Sequence, residues 1–236
     1  MEKVVIAGGS SGIGLATAAL LSAKGYEVVI MGRDPAKLAS AVAGLGDKVA
    51  AKALDATDRE ALQKGFSVIG DFQHLVIAVS GRKGMGAFRT LDLKTLREGF
   101  EEKFFAQLQV AQAALPFLTG KGSITFITAI SSQSRMPGTS GLGAINGALE
   151  IMTPTLAKEL KPLRVNAVSP GVINTPWWDF MSAPEKQAAF EGFTKTIPAG
   201  RIGEPKEVAA LVGAVVENEY LTGQVIAVDG GIGLGQ

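Results

Sequence analysis

The sequence predicts one doubly wound α/β domain over residues 1–236, a seven-stranded, mostly parallel sheet with helices on both faces. Three observations predict it. Runs rich in Val and Ile recur along the chain with helix-length segments between them. The run His74-Leu75-Val76-Ile77-Ala78-Val79 is almost continuously apolar, as a strand buried on both faces must be. A glycine-rich turn joins the first such run to the first helix-length segment.

Taken in order, the strands fall at 3–7, 27–31, 48–54, 74–79, 122–127, 163–168 and 224–228. Parallel neighbours need crossovers, which puts helices near 12–24, 35–44, 58–68, 92–118, 141–160 and 205–216. Pro154 lies inside the fifth of these, where a regular interior would cost about 3 kcal/mol, so a kink or a shorter helix is expected. Two segments read as irregular: 80–91, with Gly81, Gly84 and Gly86, and 170–200, which opens on Pro170-Gly171 and holds Pro176, Pro184 and Pro198. Both follow strand ends, where open parallel sheets bind ligands, so each is a candidate pocket wall and the longer one a candidate substrate lid.

Composition excludes several classes. With 47% hydrophobic and 19% charged residues, the chain can bury a core and is not disordered. A net charge of +1 exerts no overall pull on nucleic acid or an anionic membrane, so any anion site is local. The absence of cysteine rules out disulfides and thiolate metal sites and fits a cytoplasmic protein. Apolar runs fall short of the roughly 18 residues a membrane helix requires, and Val4-Val5-Ile6-Ala7 is too short for a signal peptide's apolar region. The lone histidine, His74, makes a metal centre improbable, and no metal is expected.

The turn Gly8-Gly9-Ser10-Ser11-Gly12-Ile13-Gly14 points to chemistry because of its place between a strand and a helix. Glycines let the backbone approach a pyrophosphate, and the helix N-terminus offers free amides and a favourable dipole; Gly8, Ser10, Ser11, Gly12, Ile13 and Gly14 are the candidate contacts. An NAD site places a carboxylate about 20 residues further on, to accept from the ribose 2′-hydroxyl. Here the second strand ends Met31-Gly32-Arg33, and Arg33, helped by Ser10 or Ser11, suits a 2′-phosphate, so NADP(H) is preferred over NAD(H). The alternative is a solvated Arg33 with Asp34 on the ribose.

Further motifs accompany the turn: Leu54-Asp55-Ala56, Ser80-Gly81, Arg164-Val165-Asn166-Ala167-Val168-Ser169-Pro170-Gly171, Thr175-Pro176, Gly200-Arg201-Ile202-Gly203-Glu204-Pro205, and Leu221-Thr222-Gly223 leading to Val228-Asp229-Gly230-Gly231. Together they run nearly end to end, and the chain resembles the short-chain dehydrogenase/reductase family of Rossmann-type oxidoreductases. That resemblance implies that Asp55 and Ala56 flank the adenine, that Ala78, Val79, Ser80 and Gly81 line the cofactor cleft, and that Pro170, Gly171, Ile173 and Thr175 hold the nicotinamide amide. It also implies a small-molecule substrate and a homodimer or homotetramer.

The family's chemistry rests on a Ser, a Tyr-x-x-x-Lys pair and an Asn, and this chain departs at all four. In register, Leu142 stands at the tyrosine position, Asn146 at the lysine, Ala129 at the serine and Lys103 at the asparagine. The two tyrosines, Tyr26 and Tyr220, lie far from that helix in sequence. Leucine cannot protonate an alkoxide. Lys103, desolvated beside a cofactor, is the first candidate for the acid, with Asn146 orienting it, a water or the nicotinamide ribose; the competing reading is a solvated lysine beside Glu101 and Glu102. Ser131 and Ser132 are candidates for contacting substrate, or for loop hydrogen bonding alone. Trp177 and Trp178 either close over substrate or anchor their loop.

These residues imply an NADP(H)-dependent oxidoreductase acting on a small or medium carbonyl or alcohol by a non-standard proton transfer. Two other readings stand beside it: an NADP(H)-binding sensor or scaffold without turnover, and a lyase or isomerase using Lys103 as base.

Overall fold

Seven strands form one sheet in the computed structural model, which describes residues 1–46 and 48–234: β1 (Lys3–Ala7), β2 (Glu27–Gly32), β3 (Val49–Ala53), β4 (Phe72–Ile77), β5 (Leu118–Ile127), β6 (Arg164–Pro170) and β7 (Val225–Val228). Their order is β3-β2-β1-β4-β5-β6-β7, and every pairing is parallel. The order reverses between β1 and β4. The chain leaves β1 toward one edge and restarts at β4 toward the other, which opens a crevice at the C-terminal ends of these two strands.

Helices α1 (Gly12–Ala23), α2 (Pro35–Ala43) and α8 (Pro205–Glu217) cover one face, and α3 (Arg59–Ile69), α5 (Ala106–Ala114) and α6 (Ser140–Glu159) the other. Successive strand side chains point to opposite faces, so the apolar run of β1 divides: Val4 and Ile6 pack with Leu21 and Val212, Val5 and Ala7 with Phe66 and Leu149. Two cores therefore sandwich the sheet. Phe66 is fully buried and stacks on Phe72 at 5.8 Å and Phe117 at 6.3 Å. His74, near the start of β4 and away from the crevice, is buried with Nδ1 2.8 Å from Ser123 Oγ, and burial pushes its pKa down.

The structure corrects two expectations and removes one of two alternatives at a third. The helix expected over 92–118 is three pieces: α4 (Leu93–Gly99), a π-helical stretch Phe100–Phe105, and α5, after which a tight turn Leu115–Phe117 leads into β5 four residues earlier than 122. Pro116 ends the helix there, and Gly120, at φ 64°, belongs to the strand instead. The irregular segment 170–200 contains α7 (Ala183–Thr196). Its start is fixed by Ser182, whose amide and hydroxyl both donate to Glu185 Oε2 at 2.8 and 2.7 Å, and Pro184 sits in the first turn, where its missing N–H is no loss. α6 runs unbroken through Pro154, so the helix is not shortened. Among the described residues no helix is long and apolar enough to cross a membrane.

Truncating Phe66 removes the ring shared by α3, β4 and the turn before β5 and leaves a cavity at their junction. Phe66→Ala should lower the unfolding free energy by about 3–5 kcal/mol in urea titrations.

Candidate functional site

The glycine turn is shaped by close backbone approach. Gly8, at φ 83°, and Gly9 donate their amides to Met31 O at 2.8 and 3.1 Å. A Cβ on Gly8 would lie 2.7 Å from the Ala78 carbonyl, and one on Gly14 2.2 Å from Gly8 O, so neither position admits a side chain without displacing backbone. Ser11 caps α1 in extended geometry but makes no side-chain bond, and the first turn carries no acidic residue. Leu15 N–H reaches Ser11 O at 3.2 Å, which leaves the amides of residues 12–14 without intrahelical partners. The neighbouring helices differ: Asp34, Asp58 and Asp92 each cap their own helix through a carboxylate. The open amides of α1 are thus a cradle for an anion, and they fit a dinucleotide pyrophosphate.

The end of β2 separates Arg33 from Asp34. Asp34 Oδ1 accepts from Ala36 N at 2.9 Å and Lys37 N at 3.1 Å, so that oxygen is committed to α2. Arg33 is exposed, and Ser10 Oγ lies close to Gly32 beside it. Asp55 Oδ1 accepts from the Thr57 amide at 2.9 Å and hydroxyl at 2.8 Å. Burial pushes the Asp55 carboxyl up, but these two bonds and the Arg33 guanidinium outweigh it and hold it below the usual range.

Opposite the turn, Thr175 lies against Gly12, its Cβ 3.4 Å from where a Gly12 Cβ would be, while buried Ile173 bridges to Gly203. Gly171 packs on the Asp229 backbone so closely that a Cβ would stand 2.6 Å from its Cα. The two tryptophans divide their work. Trp178 donates to Ile173 O at 3.0 Å and packs on Phe180, Phe190 and Phe193, anchoring α7. Trp177 donates to Gly81 O at 3.0 Å, linking the segment after β6 to the one after β4. Arg82, 5.5 Å from the Phe180 ring centroid, adds a second tie.

Lys103 lies in the π-helical stretch, only 7% exposed, so it is not a solvated charge. Glu102 is paired with Lys83 at 3.0 Å instead, and Glu101 is exposed. The Lys103 ammonium donates to Thr128 O at 3.1 Å; burial lowers its pKa to about 8, against an upward pull from Glu150. Asn146, 3% exposed, donates from Nδ2 to Ser131 Oγ at 3.1 Å and Leu142 O at 2.9 Å, and its Oδ1 is buried without a partner. Ser131 therefore joins Asn146. Ser132 Oγ closes a local turn on Ala129 O at 3.1 Å, and Ala129 is in extended backbone just beyond β5.

Two further residues belong to this cluster. Gln107, fully buried, donates to Val79 O at 2.7 Å and Ile127 O at 3.1 Å and so ties together the chain ends of β4 and β5. Glu150 Oε1 accepts from Thr128 Oγ at 2.8 Å and Ser169 Oγ at 2.9 Å. Each stands four residues beyond a residue singled out in the sequence, Lys103 and Asn146, which is the helical spacing that could have found it.

Known proteins match the chain over nearly its whole length. Residues 7–233 match a family model described as enoyl-(acyl carrier protein) reductase. The chain is similar to carbonyl reductase family member 4 of Danio rerio, 32% identical over 98% of this chain and 97% of that one. It is also similar to a 3-oxoacyl-(acyl-carrier-protein) reductase of Mus musculus, 34% identical over 99% of each. Among solved structures, a small-chain dehydrogenase in complex with NADPH superposes with a TM-score of 0.86 at 30% identity, covering 99% of both chains. A short chain oxidoreductase from Pseudomonas aeruginosa PAO1, described as containing an atypical catalytic center, superposes at 0.88 with 26% identity over 100% of this chain and 97% of that one.

Gln107→Leu would leave the buried Ile127 carbonyl without this donor, while the half-buried Val79 carbonyl can turn to solvent. One unmet buried group costs about 1–3 kcal/mol, so chemical denaturation should register a loss of roughly that size.

Proposed function

Since this chain belongs to the short-chain dehydrogenase/reductase family, we propose that it is an NADP(H)-dependent oxidoreductase that interconverts a small or medium carbonyl compound and its alcohol, with Lys103 supplying the proton. The observation that carries this reading is the buried Lys103 ammonium, beside the strand ends from which the cleft loops depart, with a single protein hydrogen bond. Held by the amides of residues 12–14, a reduced nicotinamide dinucleotide would supply the hydride for the carbonyl carbon. Lys103 gives one N–H proton to the oxygen as that carbon is reduced, becoming a neutral amine, and regains a proton from solvent before the next turnover. A donor with a pKa of about 8 is matched to work near neutrality, where it is mostly protonated yet not too weak an acid. In the oxidative direction the same amine accepts the hydroxyl proton.

Other residues of the cleft support binding and orientation. The amides of residues 12–14 would hold the pyrophosphate, and the exposed Arg33 would pair with the 2′-phosphate, while Asp34 uses Oδ1 on its helix cap. Asn146 Oδ1 is free to accept from a ribose or substrate hydroxyl. Ser131, which Asn146 holds, faces the same use, and Trp177 closes the segment 170–200 over substrate. The sensor reading draws no comparable support, since it needs no amine matched to proton transfer; a lyase or isomerase would use the same amine as base and is distinguished by turnover without net NADPH oxidation.

The test follows NADPH oxidation with aliphatic and aromatic aldehydes, ketones and 3-oxoacyl thioesters. Lys103→Met should lower turnover by about 10²- to 10⁴-fold while NADPH binding persists. Undiminished turnover in the variant would refute the assignment of the proton donor.

A further inference from the structure

The buried ammonium of Lys103 needs a counter-charge, and the structure holds one carboxylate placed to provide it. Thr128 faces both groups: its carbonyl accepts from Lys103 Nζ at 3.1 Å, and its hydroxyl lies 2.8 Å from Glu150 Oε1. Ser169 Oγ, from the end of β6, donates to the same oxygen at 2.9 Å, and Gln133 Nε2 lies 3.4 Å from the other. The carboxylate is therefore fixed by donors from three directions, and α6 presents it one turn beyond Asn146.

The remaining charged groups near Lys103 are engaged elsewhere. On its own stretch, Glu102 is bound to Lys83, and Glu101 is exposed. On α4, Glu98 also pairs with Lys83, at 3.0 Å. Beyond β7, Asp229 accepts from the amides of Gly231 at 2.8 Å and Gly233 at 2.7 Å. From the end of β5 the group at Lys103 is the neutral Thr128 carbonyl.

From this placement we infer that Glu150 is a positioning residue that keeps the Lys103 ammonium charged inside the cleft, acting through Thr128 and setting the pH range over which the proton donor works. The inference rests on the reading of Lys103 as that donor. Its sign follows from Coulomb attraction: a nearby negative charge favours the ammonium, so removing it makes the amine lose its proton at lower pH. The alkaline limb of carbonyl reduction, where the donor deprotonates, moves with it. Thr128 and Ser169 serve a second purpose, because their hydroxyls satisfy the half-buried carboxylate without neutralising it.

The experiment compares the intact wild-type protein with Glu150→Gln, Glu150→Ala and Glu150→Asp, in NADPH-dependent carbonyl reduction and in the titration of the Lys103 ¹³Cε resonance. Glu150→Gln keeps an oxygen to accept from both hydroxyls and removes only the charge, while Glu150→Ala removes both, so either folded variant reads the effect. Both should move the Lys103 titration and the alkaline limb down by about one pH unit, with NADPH affinity unchanged, and Glu150→Asp should restore most of the shift. An unmoved Lys103 titration in a folded charge-removing variant overturns the inference. A titration that moves while turnover proves independent of Lys103 sinks the proton-donor reading and leaves the coupling between Glu150 and Lys103 standing.

Discussion

Gly8 and Ala78 meet so closely that no side chain fits between them, and the cleft is built outward from that contact. β1 and β4 are neighbours in the sheet, yet the chain leaves them toward opposite edges. The turn after β1 must bend sharply into α1, and the segment after β4 must turn away from it. Gly8 and Gly14 let the bend pass at backbone distance, which leaves the first amides of α1 pointing outward without partners. An uncapped helix start leaves its amides to solvent, and an anion bound there gains both those donors and the helix dipole. The same sequence caps α2, α3 and α4 with aspartates, whereas α1 and α6 carry neither a side-chain cap nor an acidic first turn, and of these two only α1 opens on the glycine turn at the crevice.

A second constraint governs the far end of the cleft. In the function proposed for this chain, leucine and asparagine stand where a tyrosine would give the proton and a lysine would tune it, and the cation comes from another helix. Moving the ammonium to residue 103 puts it in a widened helical turn, under the end of β5, with little solvent around it. Burial alone would drive the amine toward neutrality, and a neutral amine is no acid. Glu150 opposes that drift through two hydroxyls and a shared threonine, so acidity and charge are balanced by residues on α6, β5 and β6 at once. π-helical turns recur at functional sites for a related reason, since they turn a side chain off the regular helical face.

Much of this was legible before the structure. Strand positions were readable because apolar runs buried on both faces need no partner to identify them, and the glycine turn because its place between strand and helix carries the meaning. Asp34 entered the sequence reading only as an alternative ribose ligand, although the Asp-Pro pair that signals a helix start was there to be read. α7 was hidden because it buries no residue fully and so shows no apolar face, and its Pro184 looks like a breaker when read without its cap. The break in the helix at Phe100–Phe105 has no local signature. Gln107 and Glu150 escaped notice because each acts on groups brought near by the ends of β4, β5 and β6, distant in sequence and adjacent only once the sheet is assembled. The split between Trp177 and Trp178 was likewise decided by tertiary contacts, one indole meeting Gly81 and the other Ile173.

Calorimetric titration with NADPH and NADH, on the wild-type protein and on Arg33→Ser, addresses the account at its root. The open amides of α1 and the free guanidinium beside them predict saturable binding of one NADPH per chain, at least about 10-fold tighter than NADH, with that preference lost in Arg33→Ser. Folded protein that takes up neither nucleotide, or that holds NADH as tightly as NADPH, would contradict it.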